Sequence, residues 1–271
     1  MRAVVAIPLV LSIAVFVRGA WRLRRCARPG LGAGRLLAGA TGFTALGVAL
    51  SDSVHAAGHA LFVAHMAQHL LLVSVAAPAF LLADPFAVML WGLPGRARRA
   101  LGRILAPGRP LRRAVRHLTR MTLTWPLYVL VLWLWHLPGP YDAALRSGLV
   151  HDLEHILFFG AAVLFWWPAL GPAPRVAAPP HPAARVAYLV LGALQNAALG
   201  LLLSSRAAPL YATYVITAPG WGLSAADDQT WGGVLMWTVG SAVDMAAVLL
   251  VVARTLGAPA FLDRSMAVRD N

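Results

Sequence analysis

Residues 151–170, HDLEHILFFGAAVLFWWPAL, have the composition of a membrane-spanning helix that begins with a group of polar side chains. About 20 mostly apolar residues are needed to cross the hydrocarbon core of a bilayer as an α-helix. The stretch carries no charged residue after His155, so it meets this requirement. Its first turn contains His151, Glu154 and His155. The stretch therefore predicts an all-α membrane protein with a polar site at one end of a span.

The composition of the whole chain agrees with a membrane protein. Of its 271 residues, 59% are hydrophobic and only 12% are charged, whereas a soluble domain carries about 25% charged residues. This balance disfavours a soluble enzyme, and the many apolar residues exclude a disordered chain. Seven stretches have the composition of spans, namely residues 3–17, 36–51, 60–83, 121–138, 151–170, 185–205 and 231–253. We expect a single domain, residues 1–271, that forms an integral membrane bundle of seven transmembrane helices.

The arginines predict how this bundle is oriented. All 23 basic residues are arginine, and 20 of them fall in the loops that follow the first, third and fifth spans or in the C-terminal tail. Only Arg2, Arg146 and Arg206 fall on the other side. Cytoplasmic loops collect Lys and Arg, so the N-terminus is expected outside and the C-terminus in the cytoplasm, in a multi-pass protein of a bacterial cell membrane.

The net charge of +13 is explained by this topology, together with contacts between the cytoplasmic arginines and anionic lipid head groups. A nucleic-acid partner is not expected, since no basic patch is interleaved with exposed aromatic residues.

Seven of the nine histidines lie on the outer side under this topology. They form three pairs with a spacing of four residues and one single residue at the end of the fourth span, namely His55/His59, His65/His69, His151/His155 and His136. Residues four apart lie on one face of a helix, one turn apart, so each pair could bind one metal ion. The alternative to metal binding is that the histidines form hydrogen bonds between helices or lie at the level of the lipid head groups. This alternative is strongest for His55, His59 and His136.

Two of the pairs have similar surroundings, in the segments HMAQHLL from His65 and HDLEHIL from His151. Gln68 and Glu154 occupy the same position in the two segments and lie on the same helix face as the histidines. We expect them to hold a ring N–H and so to orient the imidazoles.

Other polar residues and one methionine are weaker candidates. Asp228 lies on the outer side and could attract a cation. Met236 lies near the outer end of the seventh span, and a thioether together with imidazoles suits Cu(I). Asn196 and Asp244 lie in the middle of their spans at similar depth, which favours a hydrogen-bonded pair between helices over a proton or ion path.

Four segments resemble the CtaG family of cytochrome c oxidase assembly factors, the multi-spanning family associated with caa-type oxidases. This family is distinct from the single-helix copper chaperone that shares its name. The segments are His65-x-x-Gln68-His69 leading to Pro78 and Asp84-Pro85; Tyr141-Asp142-x-Ala144-Leu145 leading to His151-x-x-Glu154-His155 and Phe165-Trp166-Trp167-Pro168; Pro209-Leu210-Tyr211-x-x-Tyr214; and Asp228-Gln229-x-x-Gly232-Gly233-x-x-Met236-Trp237.

The resemblance implies a seven-helix protein needed to build an aa-type terminal oxidase, with a role in its copper supply. An oxidase subunit would then be its partner. The residues that match the family's motifs are His65, Gln68, His69, His151, Glu154, His155, Asp228, Gln229 and Met236. The oxidase follows from the resemblance alone, whereas the histidines on the outer face also follow from the residues themselves.

Three hypotheses follow for the function. The first is an assembly factor, not an enzyme, that binds copper through His65, His69, His151 and His155 and delivers it to the oxidase. The second is a membrane redox protein that holds haem or two iron ions, since histidines on facing helices bind both. The third is a metal transporter, against which stands the small number of ligands in the inner half of the bundle.

Overall fold

The computed structural model describes residues 3–25 and 32–256, and within these residues it contains helices and no β-strand. Arg2, Arg28, Arg264 and Arg269, which entered the arginine count, lie outside the described residues. The fourteen helices are α1 (Ala3–Arg25), α2 (Ala33–Ala49), α3 (Asp52–Ala60), α4 (Phe62–Leu70), α5 (Ala77–Leu82), α6 (Pro85–Gly92), α7 (Gly95–Ile104), α8 (Pro110–Leu118), α9 (Met121–Trp135), α10 (Pro138–Arg146), α11 (Gly148–Leu170), α12 (Pro182–Ser204), α13 (Ala212–Thr217) and α14 (Ala225–Leu256). A π-helical segment, Leu71–Ala76, joins α4 to α5, and a 3₁₀ turn, Ala218–Trp221, follows α13.

Five of the described helical segments are long and apolar enough to cross a membrane. They are Ala6–Arg25, Phe62–Leu82, Gly148–Leu170, Pro182–Ser204 and Ala225–Leu256. A sixth span results if α2 and α3, which meet at an angle of 53°, are counted together. The chain is therefore a multi-spanning membrane protein. The predicted span 121–138 corresponds to α9, which has only 15 residues, so the count of seven stays a prediction.

Two hydrophobic cores hold the helices together. The larger core contains the buried side chains Phe62, Leu72, Tyr128, Phe165 and Leu199, which join α4, the π-helical segment, α9, α11 and α12. The smaller core packs α1 on α2 and α6 through residues such as Phe16, Phe43 and Val88. The polar group at the beginning of α11 lies in the sequence between Leu145 and Phe158, which both belong to the larger core.

Small residues allow α12 and α14 to approach closely. A Cβ atom added to Gly200 would lie 2.8 Å from the backbone oxygen of Gly233, and one added to Gly233 would lie 2.6 Å from the backbone oxygen of Gly200. Both distances are shorter than van der Waals contact. Because small residues let helices pack in membranes, this contact fixes α14 against its neighbour.

The arginine-rich segment between the third and fourth predicted spans was expected to be loop but contains two helices, α7 and α8. In α7 and α8 no residue is buried. Both helices place arginines on one face and apolar residues on the other, as helices that lie in a membrane interface do. Arg112 of α8 donates hydrogen bonds to the backbone oxygens of Leu105, at 3.3 Å, and Arg175, at 2.8 Å. The loop therefore packs against the segment between α11 and α12.

Candidate metal centre

The beginning of α4 is held by a carboxylate from a distant part of the chain. Leu61, which precedes α4, has no side chain able to cap the helix. Asp228 of α14 takes this role, since its Oδ2 accepts from the backbone N–H of Phe62 at 2.6 Å and its Oδ1 from that of Val63 at 2.9 Å. A buried carboxylate at a helix N-terminus satisfies free N–H groups and interacts favourably with the helix dipole. Asp228 thus positions the helix that carries His65 and His69.

Tyr214 determines which nitrogen of His65 carries the proton. The Tyr214 hydroxyl donates its one proton to the backbone oxygen of Gly58 at 2.8 Å. It must therefore accept from Nδ1 of His65, 3.2 Å away, and from the hydroxyl of Tyr141 at 2.9 Å. Burial raises the pKa of the Tyr214 hydroxyl well above its usual value, so the hydroxyl keeps its proton. With its proton on Nδ1, a neutral His65 presents the lone pair of Nε2 to the cluster.

The Glu154 carboxylate lies between three imidazoles. Its Oε2 lies 3.6 Å from Nε2 of His65 and 3.9 Å from Nε2 of His151, and its Oε1 lies 3.8 Å from Nε2 of His69. Nε2 of His69 lies 3.0 Å from Nε2 of His65 and donates to its lone pair when both rings are neutral and no metal is bound. Glu154 is fully buried, and neither of its oxygens has a hydrogen-bond partner among the described residues.

The remaining histidines extend this cluster towards the surface. The ring of His155 lies 4.1 Å from that of His151 and 5.6 Å from that of His69. The ring of His55 lies 4.6 Å from that of His59 and 4.7 Å from that of His151. His55 and His59 are half-buried, whereas His65, His69, His151 and His155 are buried. All three predicted pairs therefore meet in one group around Glu154. We call this group the histidine cluster; its members are His55, His59, His65, His69, His151, His155 and Glu154.

Three overlapping sets within this histidine cluster have the spacing of metal ligands. Each set offers one ligand atom per residue, and within a set these atoms lie within 4.8 Å of one another. The sets are His55, His59 and His151; His65, His151 and Glu154; and His69, Glu154 and His155. His151 and Glu154 each belong to two sets, so the three sets form one continuous group.

His136 and Met236 lie beside the histidine cluster and not within it. Nδ1 of His136 donates to the backbone oxygen of Leu132 at 2.7 Å, which leaves Nε2 with a lone pair. The rings of His136 and His69 are 6.5 Å apart. Met66, His69, His136 and Met236 all line a cavity of about 30 Å³. Met66 and Met236 thus line the same cavity as His69.

Gln68 and Gln229 bind backbone groups. Gln68 donates from Nε2 to the backbone oxygen of Ala49 at 2.6 Å. Gln229 accepts from the backbone N–H of Leu210 at 2.6 Å and donates to the backbone oxygen of Leu203 at 3.0 Å. The contacts that the structure shows for these two residues tie neighbouring segments together and do not include an imidazole ring.

Asn196 and Asp244 contact each other in the middle of the bundle. Nδ2 of Asn196 on α12 donates to Oδ2 of Asp244 on α14 at 3.3 Å, and the Tyr128 hydroxyl donates to Oδ1 of Asn196 at 3.4 Å. Asp244 is buried. These hydrogen bonds connect α9, α12 and α14.

Tyr141 and Tyr214 contact His65, and Tyr211 packs on Tyr141, but none of the three is among the site residues predicted from the sequence. The ring of Tyr141 lies 5.0 Å from that of His65 and stacks on that of Tyr211 at 3.9 Å. The sequence pointed to these tyrosines only through the motifs Tyr141-Asp142 and Tyr211-x-x-Tyr214, which resemble those of the family. The motifs did not show that the hydroxyl of Tyr214 would contact an imidazole.

The histidine cluster fits a metal ion by the chemistry of its donor atoms. Among the described residues, buried nitrogens of His59, His69, His151 and His155 and both oxygens of Glu154 have no hydrogen-bond partner. Buried polar groups are nearly always paired, and an isolated buried carboxylate is costly. A cation bound among these atoms would satisfy several of them at once.

Comparison with known proteins gives a family but no experimental fold. The sequence profile of the cytochrome c oxidase caa3 assembly factors (Caa3_CtaG) matches residues 14–257. An uncharacterized protein of Mycobacterium tuberculosis is 27% identical over 229 residues, which is 81% of this chain and 33% of the relative. One of Mycobacterium leprae is 27% identical over 285 residues, 98% of this chain and 40% of the relative. The chain therefore spans less than half the length of these relatives.

No solved structure matches the chain. The profile match covers most of the sequence and includes every helix that contributes to the histidine cluster. The chain belongs to the cytochrome c oxidase caa3 assembly factor family.

Proposed function

We propose that this protein assembles an aa-type cytochrome c oxidase by binding copper in its histidine cluster and passing the ion to an oxidase subunit. Membership of the caa3 assembly factor family supports the oxidase as the partner. The buried sets of histidines and Glu154 support the binding of a metal ion. The protein then acts by binding and transfer and not as an enzyme.

The observation that carries this proposal is the position of Glu154. Its carboxylate is fully buried, has no hydrogen-bond donor among the described residues and has three imidazole nitrogens within 4 Å. An ionised carboxylate without a partner is costly in a buried position, so the group is held neutral unless a cation binds. A cation held jointly by the carboxylate and the imidazoles offsets this cost.

The donor atoms suit copper. Imidazole nitrogens with a carboxylate bind Cu(II) more tightly than other divalent ions of the first transition row. The thioethers of Met66 and Met236, which line the cavity beside His69, are ligands that select Cu(I). Copper is the cargo in this proposal, so binding has to be reversible.

A gradient of burial supports transfer. His55 and His59 are half-buried, and His151 connects them to the buried set that contains His65 and Glu154. Neighbouring sets that share a ligand let an ion move from one set to the next without losing all its ligands. The half-buried set is then where copper is exchanged with the partner. The predicted orientation places this end outside the cytoplasm.

The test is the copper affinity of the purified full chain, measured by competition with a chelator of known affinity. The variant His65→Asn/His151→Asn removes both imidazoles of the middle set, through which the other two sets are linked, and we expect it to bind copper at least tenfold more weakly. The matched control is His117→Asn, because His117 is exposed in α8. Equal affinities of the three proteins would overturn the proposal.

A dinuclear metal centre is the second candidate, and the sharing of Glu154 by two ligand sets favours it. A carboxylate with one oxygen towards each set can bridge two ions. The metal content of the loaded protein distinguishes the candidates: two iron ions per chain that survive dialysis would favour a redox protein, whereas exchangeable copper would favour delivery.

A further inference from the structure

An open cavity of about 950 Å³ lies at the end of α11 that is remote from the histidine cluster. It is lined by the beginning of α9, the end of α11, the beginning of α12 and the end of α14. His151 and Leu170 are separated by most of the length of α11, which at 1.5 Å per residue is about 30 Å. The cavity is therefore independent of the metal centre proposed above.

Five arginines from separate parts of the chain converge on this cavity. They are Arg116, Arg120, Arg175, Arg185 and Arg254. No Asp or Glu is present among the described residues that line it. Like charges brought together repel each other, so the fold concentrates positive charge here without supplying a carboxylate of its own.

Arg185 is the arginine of this group with a buried nitrogen that has no hydrogen-bond partner among the described residues. It lies in the first turns of α12 and is half-buried, and its guanidinium donates to the backbone oxygen of Ala169. The buried nitrogen is Nε. A buried N–H of a cation needs an acceptor, and an anion in the cavity would provide one.

The walls of the cavity are apolar. Met121, Trp167 and Leu170 line it together with the arginines. Positive charge next to apolar surface at the ends of membrane helices matches a ligand with an anionic head and a hydrocarbon tail.

We propose that this cavity binds the phosphate group of an acidic phospholipid. Guanidinium groups pair with phosphate oxygens through two parallel hydrogen bonds, so several arginines can hold one phosphate. The acyl chains then lie along the apolar wall that Met121, Trp167 and Leu170 form. Bound in this way, the lipid neutralises the converging arginines and joins the ends of four helices.

The experiment measures binding to the purified full chain in a non-ionic detergent. Three probes are compared by isothermal titration calorimetry: dioctanoyl phosphatidylglycerol, zwitterionic dioctanoyl phosphatidylcholine and inorganic phosphate. Saturable binding of phosphatidylglycerol, at least tenfold tighter than that of the other two probes, is expected. Inorganic phosphate that binds as tightly as the acidic lipid would overturn the lipid proposal in favour of a free-anion site.

Paired variants distinguish binding in the cavity from a general effect of positive charge on the protein surface. Arg116→Gln/Arg254→Gln removes two exposed cavity arginines, and we expect phosphatidylglycerol to bind at least tenfold more weakly. Arg96→Gln/Arg99→Gln removes the same charge from exposed positions of α7, and its affinity should stay within twofold. Arg185→Lys, which keeps the charge and loses the planar fork, should weaken binding in a folded protein. An equal loss in the cavity and α7 variants, or no loss in either, would overturn the proposal.

Discussion

Oε2 of Glu154 lies 3.6 Å from Nε2 of His65, and both side chains are fully buried. The two residues come from α11 and α4, which the sequence separates by several other helices. Because Tyr214 holds the proton of His65 on Nδ1, the nitrogen that faces Glu154 presents a lone pair. A lone pair and a carboxylate that face each other are an arrangement for holding a cation between them.

Replacement of Glu154 by Gln should separate metal binding from folding. Glu154→Gln keeps the shape of the side chain and removes its charge, so copper affinity should fall by a factor of about 10 to 100. Stability of the metal-free protein should change little, because a buried carboxyl group without a bound cation is held neutral and Gln has the same size. Chelator competition and thermal unfolding in detergent measure the two effects. Lower stability with unchanged copper affinity would contradict this account of Glu154.

Asp228→Asn should mainly affect stability. Asn keeps one acceptor oxygen but places an amide N–H where Asp228 accepts a second bond from the beginning of α4. We expect a loss of about 2 kcal/mol in the free energy of unfolding, measured by titration with a denaturing detergent. Asp227→Asn is the control, since Asp227 is exposed and bonds only locally with Ser224. A loss of the same size in both variants would show that the cap on α4 is not the cause.

The contact between α12 and α14 should not tolerate an added methyl group. Gly233→Ala places a Cβ atom 2.6 Å from the backbone oxygen of Gly200, and such overpacking typically costs about 1–3 kcal/mol. Gly160→Ala in α11 serves as the control, because nothing lies within 4 Å of its added Cβ atom. We expect a lower unfolding midpoint for Gly233→Ala only. Equal midpoints for the two variants would argue against this close approach.

The predicted orientation can be measured with two matched cysteines. In a Cys26→Ala background, Arg103→Cys should react with an impermeant maleimide only after the membrane is opened, and Arg206→Cys should react in intact cells. Both positions are exposed arginines, and the positive-inside rule places them on opposite sides. The reverse labelling pattern would show that the topology is the inverse of the predicted one. Labelling of both in intact cells would exclude the predicted number of spans between them.

Much of the candidate site follows from local sequence, because helical periodicity puts histidines four residues apart on one face. That the three pairs come together in one cluster could not be predicted from the sequence. It depends on α3, α4 and α11 packing together, and no local pattern encodes that packing. Glu154 was predicted to orient an imidazole, whereas the structure places its carboxylate among three of them. Whether Glu154 is a ligand stays a prediction.

The fold, like the site, could be predicted from the sequence only where local patterns determine it. Apolar length predicted most of the long helices, since membrane spans must satisfy their backbone internally. The helices α7 and α8 were expected as loop, because Pro, Gly and Arg are frequent there. Their amphipathic pattern was present in the sequence, but it indicates a helix only where an interface can bind the apolar face. The cap that Asp228 places on α4 is a contact between residues more than 160 positions apart, which no local motif reveals.

The central claim, that the histidine cluster supplies copper to the oxidase, is tested most directly by the copper content of the oxidase made in cells with altered clusters. At equal levels of the assembly factor, we expect the double variant His69→Asn/His155→Asn to lower oxidase copper and assembled oxidase together by at least tenfold. His117→Asn should leave both unchanged. A normal copper content of the oxidase in cells that carry the His69→Asn/His155→Asn variant would contradict the account.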